Sequence, residues 1–354
     1  MKAFYKTSFL ILMIVASITL NAQKNVNVDN YRFNYKERDM PLHPLEPRSF
    51  YYATKITMPG SIRNLIDEEQ LYDNLKIQGQ RLTEEPKEDD LLVTVVMGNF
   101  NIKSSDVVTR VVENKDKDGK VTSKNYYYSV VVAYTFDSEM IGTKGEKEVI
   151  RRRIYSLNSN MSYKTNEFNS SKAASDYWNN NRENLKENLI KELVSNSISE
   201  SSKALTLNFG FPVNQKSNLI KTINEKKHPE NLDLRAKADA LKNRLEALDG
   251  TIPMTEEEIS DIIEYFKGIP TRYTDPKLKA DVRLRYVAYY NLCKIYLFLD
   301  QPEKVREYAD AITANGHDKK DGERMNKEAI KLIQRFRNSD IKTRQFDPES
   351  FFVD

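Results

Sequence analysis

The stretch DVRLRYVAYYNLCKIYLFLDQPEKVREYADAITANG occupies residues 281–316. Its apolar and aromatic residues recur every three or four positions on both sides of the segment Asp300-Gln301-Pro302. That period places them along one face of an α-helix, so each side of the segment predicts a helix. The segment itself is typical of a short turn between helices. The stretch therefore predicts a helical hairpin.

This hairpin resembles a tetratricopeptide repeat, in which the first helix carries bulky residues, the helix contact needs a small residue, and the second helix carries small or aliphatic residues. Asp300 stands where the motif usually has glycine. The resemblance favours a packing role for Cys293, as a small hydrophobic residue at the helix contact, over a catalytic or redox role. The positions that match the motif are Tyr289, Leu292, Cys293, Tyr296, Val305, Ala309 and Ile312.

Helical patterns on both sides of the hairpin supply neighbours for it. Apolar residues recur at helical spacing in 232–248, 256–267 and 322–337. One repeat cannot bury its own face, so we expect residues 231–354 to form an α-helical domain of two or three stacked hairpins. Such a stack presents a concave face that binds peptides or proteins. A plain helical bundle packed on the preceding domain is the open alternative.

The preceding part of the chain, residues 50–212, mixes strand and helix patterns. Runs rich in aromatic and β-branched residues, separated by turn residues, predict hairpin-connected strands. We expect a mixed or antiparallel sheet with helices on one face, which makes the fold class α+β. The predicted strands are 50–58, 91–102, 107–112, 126–141, 149–157 and 204–211, and the predicted helices are 61–80 and 174–204.

The remaining segments predict an export signal and two connections. Residues 1–22 have the lysines, the apolar run and the small final residue that are typical of a secretory signal peptide. Residues 23–49 are polar and rich in proline towards their end, which favours an extended lead-in. Residues 213–230 are polar, contain Pro229 and predict a linker. A single cysteine allows no intramolecular disulfide, so stability must come from burial of apolar surface.

The charge balance bears on partners and location. Loss of Lys2 and Lys6 with the signal peptide lowers the formal net charge from +3 to +1. A balanced chain has no global field that attracts nucleic acid, so we expect protein partners and no nucleic acid. The apolar run at 9–20 is too short to cross a bilayer, which predicts no transmembrane span in the mature chain. An uncleaved anchor is the alternative, and peripheral association with an outer membrane stays open.

The end of the signal sequence, LNAQ, resembles signal-peptide ends in some Gram-negative bacteria. We therefore expect an exported protein of the periplasm or the outer membrane, or one secreted outside the cell. The sequence contains no nucleotide-binding, serine-hydrolase or zinc-protease motif, and its three histidines lie far apart. These patterns predict no catalytic residue, no cofactor and no metal, although an enzyme with an unrecognised site stays open.

Residues 114–119 resemble the start of a calcium-binding loop, but Asn125 replaces the acidic ligand of its twelfth position, so a hairpin turn is favoured. Arg151 and Arg153 fall on one face of a predicted strand and form a tentative patch for an anionic glycan or a lipid head group. A solvated strand face that protects a sheet edge is the alternative. Tyrosines at 126–128 and Trp178 could stack on sugars or pack in a core.

Together these patterns predict an exported, non-catalytic cell-envelope protein that acts as a protein-binding or scaffold module through its tetratricopeptide-like helical domain. The alternative is a secreted carbohydrate-binding or glycan-processing protein with its site in the α+β domain. Glycan processing would require two carboxylates about 5–10 Å apart in a cleft. With 52 acidic residues in the chain, the sequence alone cannot nominate such a pair.

Overall fold

The computed structural model describes residues 26–45 and 50–351, so the predicted signal peptide at 1–22 lies outside the described residues. The described chain divides into two compact units. We call residue 45 with 50–210 the sheet unit, and 26–44 with 211–351 the helical unit. Strands and helices are both abundant and helices fill the C-terminal part, so the predicted α+β class is confirmed.

The elements have the following bounds. In chain order the strands are β1 Val28–Arg38, β2 Tyr51–Thr57, β3 Arg81–Leu82, β4 Leu91–Met97, β5 Asn101–Lys115, β6 Val121–Thr135, β7 Ser138–Lys144, β8 Lys147–Tyr155, β9 Met161–Lys164 and β10 Val213–Ile223. The helices are α1 Gly60–Arg63, α2 Glu68–Asn74, α3 Ser171–Phe209, α4 Asn231–Glu246, α5 Ser260–Arg272, α6 Lys279–Phe298, α7 Pro302–Asn315 and α8 Lys319–Ser339, with 3-10 turns at Glu257–Ile259 and Pro348–Phe351.

The sheet unit contains a five-stranded mixed sheet in the order β3-β2-β4-β7-β8. Strand β2 is parallel to β3 and β4, and the β4–β7 and β7–β8 pairs are antiparallel. Along β4 the side chains alternate, with Leu91, Val93 and Val95 buried and Leu92 exposed. This period of two is expected for a sheet with one face covered. The long helix α3 supplies that cover through Ile190, Val194 and other buried residues.

A second, three-stranded antiparallel sheet has the order β5-β6-β9. Strands β5 and β6 form a long hairpin, whereas β9 pairs only with the part of β6 between Val131 and Tyr134. Helix α3 begins where the Ser170 hydroxyl accepts a hydrogen bond from the Ala173 amide, which is a favourable N-cap. Its first turns pack on the base of the hairpin, and the rest of the hairpin extends beyond them.

Several predictions for the sheet unit are wrong. The strands expected over 91–102 and 126–141 are each divided between two strands that belong to different sheets, β4 and β5 for the first and β6 and β7 for the second. The single helix expected over 61–80 is divided into α1 and α2, because the Asp67 carboxylate accepts hydrogen bonds from the Glu69 and Gln70 amides and starts a new helix. The strand expected at 204–211 is the last part of α3. The apolar residues there also fit a helix, in which Ala204, Leu205 and Phe209 are buried.

The helical unit contains a two-stranded antiparallel ribbon, β1 paired with β10, in register from Val28 opposite Ile223 to Arg38 opposite Val213. The extended lead-in predicted at 23–49 is therefore mostly strand over 26–45, and the linker predicted at 213–230 is strand over its first half. Both corrections have one cause. Each strand alone is too polar to indicate burial, but pairing and helix packing bury Phe33 and Ile220.

Helix α6 lies at the centre of the helical unit, where every residue from Tyr290 to Phe298 is buried. The Asn291 side chain meets the edge of β10. Its Nδ2 donates to the Lys221 carbonyl oxygen at 2.8 Å, and its Oδ1 accepts from the Lys221 amide at 2.7 Å. A single amide thus satisfies both backbone groups of one strand residue, which would otherwise be costly to bury.

Within residues 26–45 and 50–351, no helix is both long enough and apolar enough to cross a membrane.

The Asn291 contact predicts a specific loss of stability. We expect Asn291→Ala to lower the free energy of unfolding by about 2 kcal/mol, because it leaves two backbone groups of Lys221 without partners. Urea denaturation measures the change. The control Asn338→Ala removes an exposed asparagine of α8 and should change stability by no more than about 0.5 kcal/mol. Equal effects of the two variants would contradict the assigned role.

Candidate functional site

The seven tetratricopeptide-like positions lie in the contact between α6 and α7. Tyr289 is half-buried and the other six are buried, namely Leu292, Cys293, Tyr296, Val305, Ala309 and Ile312. The Cys293 sulfur lies 3.6 Å from the Val305 carbonyl oxygen. Burial raises the pKa of the Cys293 thiol, so the thiol is neutral at physiological pH. These positions belong to the packed core of the helical unit.

The ribbon covers one face of α6. The Phe298 ring packs edge-on against Tyr35 of β1 at 4.7 Å between centroids, and against Phe33 at 5.7 Å. Asn291 fixes the same face of the helix to β10. A stack of helical hairpins would present a concave face to a partner. Here the protein's own strands cover the face of α6 that carries Asn291 and Phe298, so a partner cannot bind at that face.

The turn between α6 and α7 contains a residue with two roles. Asp300 has a φ of +55°, in the left-handed region that glycine adopts most readily. Its buried carboxylate accepts hydrogen bonds from the Arg344 Nε at 2.6 Å, the Arg344 amide at 2.7 Å and the Thr343 hydroxyl at 3.0 Å. Asp300 therefore supplies an anchor for the C-terminal segment that glycine could not supply.

A cavity of about 270 Å³ lies beside this anchor, between the ribbon, the end of α6 and helix α8. The Arg344 guanidinium forms part of its wall and also donates to Glu37 of β1 at 2.6 Å. Lys216 of β10 bridges Glu37 and Asp39. From α8, the exposed cations Lys331 and Arg335 line the cavity. The sequence did not indicate this site, since its walls come from five separate segments.

The β5–β6 hairpin has two unlike faces. Its register pairs Val107 with Val130, Thr109 with Tyr128, and Val111 with Tyr126 on one face, which we call the hairpin apolar face. At the base of this face, Val130 and Val132 pack on Ala174 and Trp178 of α3. Further out the cover ends: the exposed fractions are 39% for Val107, 45% for Val111 and 48% for Tyr126.

The opposite face of the hairpin, which we call its polar face, carries Arg110 between Val108 and Val112. The Arg110 guanidinium donates to both Glu167 carboxylate oxygens at 2.7 and 2.5 Å and lies over the Tyr127 ring at 4.7 Å. The same guanidinium lowers the pKa of Glu167 to about 2. At the tip, Asp116 accepts from the Asp118 and Lys120 amides, which forms the favoured hairpin turn. Among the described residues, no group of three or more histidine, cysteine or acidic side chains could hold a metal ion.

Arg151 and Arg153, the tentative ligand patch, lie exposed on β8, at one edge of the five-stranded sheet. Arg151 is ion-paired with Glu139 at 3.0 Å and with Glu148 at 2.8 Å. The hydrogen bonds that Arg151 donates to Glu148 and Glu139 raise its pKa, and the two carboxylates neutralise the charge that an anionic ligand would need. The neighbouring Arg152, on the other face, lies 3.8 Å from Glu200.

Comparisons with known proteins give no family. No protein-family model matches the chain, and no curated protein matches it. Among solved structures, the rare lipoprotein B of Shewanella oneidensis is 10% identical with a TM-score of 0.21, over 43% of this chain and 95% of that chain. A neuraminyllactose-binding hemagglutinin homolog from Helicobacter pylori is 13% identical with a TM-score of 0.20, over 47% and 96%. Likenesses at these scores carry no argument about fold or function.

The environment of Cys293 predicts an inert thiol. We expect a thiol-specific reagent to leave Cys293 unmodified in the native protein at pH 8 and to modify it fully in urea, because the sulfur is buried and its pKa raised. The control is Ser159→Cys in a Cys293→Ser background, which places a thiol on an exposed turn. Labelling of native Cys293 as fast as that of the control would contradict the prediction.

The contacts of Asp300 with the C-terminal segment predict that its replacement by glycine lowers the stability of the protein. Although glycine suits a positive φ better, we expect Asp300→Gly to destabilise the protein by roughly 2–4 kcal/mol, because Arg344 loses a buried partner. Asp340→Gly is the matched control, since Asp340 also has a positive φ of 52° and is exposed. Urea denaturation that finds Asp300→Gly as stable as the parent protein would refute the anchor.

Proposed function

We propose that this protein is an exported, non-catalytic component of a bacterial cell envelope that acts by binding a partner protein. The export pattern at 1–22, the balanced charge and the absence of familiar catalytic motifs in the sequence support this proposal. The sequence assigned the contact to the tetratricopeptide-like helices. Since the ribbon covers one face of α6, we propose the hairpin apolar face as the main contact.

The observation that carries the proposal is the continuity of this face with a buried cluster. Val130 and Val132 are buried against residues that include Ala174 and Trp178 of α3, and the same stripe continues to Val107, Val111 and Tyr126, which are 39%, 45% and 48% exposed. Contiguous exposed apolar surface on a soluble protein commonly marks an interaction site. Because a helix covers the base of the stripe, an apolar helix face of a partner would extend the same packing.

The edge of the hairpin offers a second means of recognition. Strand β5 lies at the edge of its sheet, and its outer backbone groups face no other strand among the described residues. A partner segment could therefore add hydrogen bonds along β5 while it covers the apolar side chains. On the polar face the Arg110 guanidinium is already paired with Glu167, so the partly exposed valines and tyrosine of the apolar face gain more from burial by a partner.

The glycan alternative, a carbohydrate-binding or glycan-processing site in the sheet unit, receives less support. Of the aromatic residues expected to stack on sugars, Tyr126 is exposed, Tyr127 lies beneath Arg110, and Trp178 is only 6% exposed. The cavity of about 320 Å³ beside α3 is lined by Asn74, three serines, Lys203 and apolar residues, without a carboxylate. This cavity therefore lacks the pair of carboxylates that glycan processing requires.

Site-specific photocrosslinking tests the proposed contact. With p-benzoylphenylalanine in place of Val111, we expect one protein adduct in cells that make the protein, and we expect Val107→Lys to abolish it. The matched control places the same residue at Val108, which is 37% exposed on the polar face, and should give no adduct. Equal crosslinking from both faces, or none from Val111, would contradict the proposal.

A further inference from the structure

The charged cavity of the helical unit is independent of the hairpin and has properties of a ligand site. Its volume, about 270 Å³, is slightly below the range typical of pockets for drug-sized molecules. Its walls are mostly polar, with Asn218 and Tyr35 on the ribbon side and a charged face of α8 opposite. The cavity therefore fits a small polar molecule better than an apolar one.

The floor of the cavity is rigid. Arg344 is held at once by Asp300, Glu37 and the Leu297 carbonyl oxygen, and these two carboxylates are almost fully buried. A buried guanidinium with all of these partners in place has little freedom to move. The floor of the cavity therefore has a fixed geometry. A ligand that binds there loses no free energy to the ordering of Arg344 and its partners.

The charges that line the cavity do not balance. Each of its carboxylates has a cationic partner: Glu37 and Asp39 pair with Lys216, and Glu328 with Arg324. The charged groups of two of its cations, the Lys331 ammonium and the Arg335 guanidinium, have no hydrogen-bond or ion-pair partner within the described residues. They are four positions apart on α8, so they stand next to each other on one helix face.

We propose that this cavity binds a small monocarboxylate, whose carboxylate group is held by Lys331 and Arg335. Charged arginine and lysine side chains donate the strongest hydrogen bonds that a carboxylate accepts. The nearby carboxylates of Glu37 and Asp39 oppose a ligand of higher negative charge, such as a phosphate ester. Hydroxyl or amide groups on the ligand can meet Asn218 and the Tyr35 hydroxyl.

Two pairs of substitutions on one helix separate this proposal from an ordinary solvated helix face. Lys331→Gln with Arg335→Gln removes the two cations of the cavity. Lys327→Gln with Arg337→Gln removes the same charge from exposed positions of α8 that do not line the cavity. Since all four side chains are exposed, we expect both double variants to unfold at the same urea concentration as the parent protein.

The probes are glucuronate, a hydroxylated monocarboxylate, and glucose, its uncharged counterpart. By titration calorimetry and saturation-transfer NMR, we expect the full mature chain to bind glucuronate and not glucose. The cavity variant should bind at least about ten-fold more weakly, and the control variant as tightly as the parent. Unchanged affinity in the cavity variant, equal loss in the control variant, equal binding of glucose, or no binding of glucuronate at about 10 mM would overturn the proposal.

Discussion

The pairing of β1 with β10 is the constraint on which the helical unit depends. It joins Val28–Arg38 to Val213–Ile223, two segments between which the whole sheet unit is inserted in the sequence. Each segment alone could bury few apolar side chains. Paired, they form a ribbon whose inner face packs on α4 and α6. The Asn291 side chain hydrogen-bonds the amide and the carbonyl group of Lys221 in this ribbon. The loop-closure cost of joining segments so far apart grows only slowly with length, and burial of the ribbon can offset it.

The ribbon also decides which surfaces remain for function. It covers the face of α6 that carries Asn291 and Phe298, and six of the seven tetratricopeptide-like positions are buried in the core. It brings Glu37 and Lys216 next to Arg344, and thereby creates the charged cavity. The sheet unit contributes a different kind of surface. This is the hairpin apolar face, which extends beyond the part that α3 covers. The two proposed sites are thus of different chemistry: one is rigid, charged and small, and the other is extended and apolar.

The sequence predicts the elements with strong local patterns and misses those that depend on distant contacts. The period of 3.6 residues indicates α6 and α7, and alternation indicates β4. The same reasoning misses β1 and β10, because their buried polar residues, such as Glu37, become acceptable only with ion-pair partners distant in the sequence. It also misassigns 204–211, where alternation favours a strand, although Ala204, Leu205 and Phe209 also fall on one face of a helix and leave Leu207 exposed. The cavity could not be predicted, since Lys331 and Lys216 belong to elements that only the tertiary structure brings together.

Hydrogen exchange of the two ribbon segments tests the account most directly. Amides of β1 and β10 should exchange slowly and in a concerted manner, because their ladder opens only when the helical unit unfolds. Mass spectrometry of peptides that cover 28–38 and 213–223 measures both segments in one experiment. The account predicts protection close to that of α6. The contrary result is exchange of both segments at the rate of an unstructured chain while α6 stays protected. It would show that the segments are a lead-in and a linker, and it would contradict the pairing of β1 with β10.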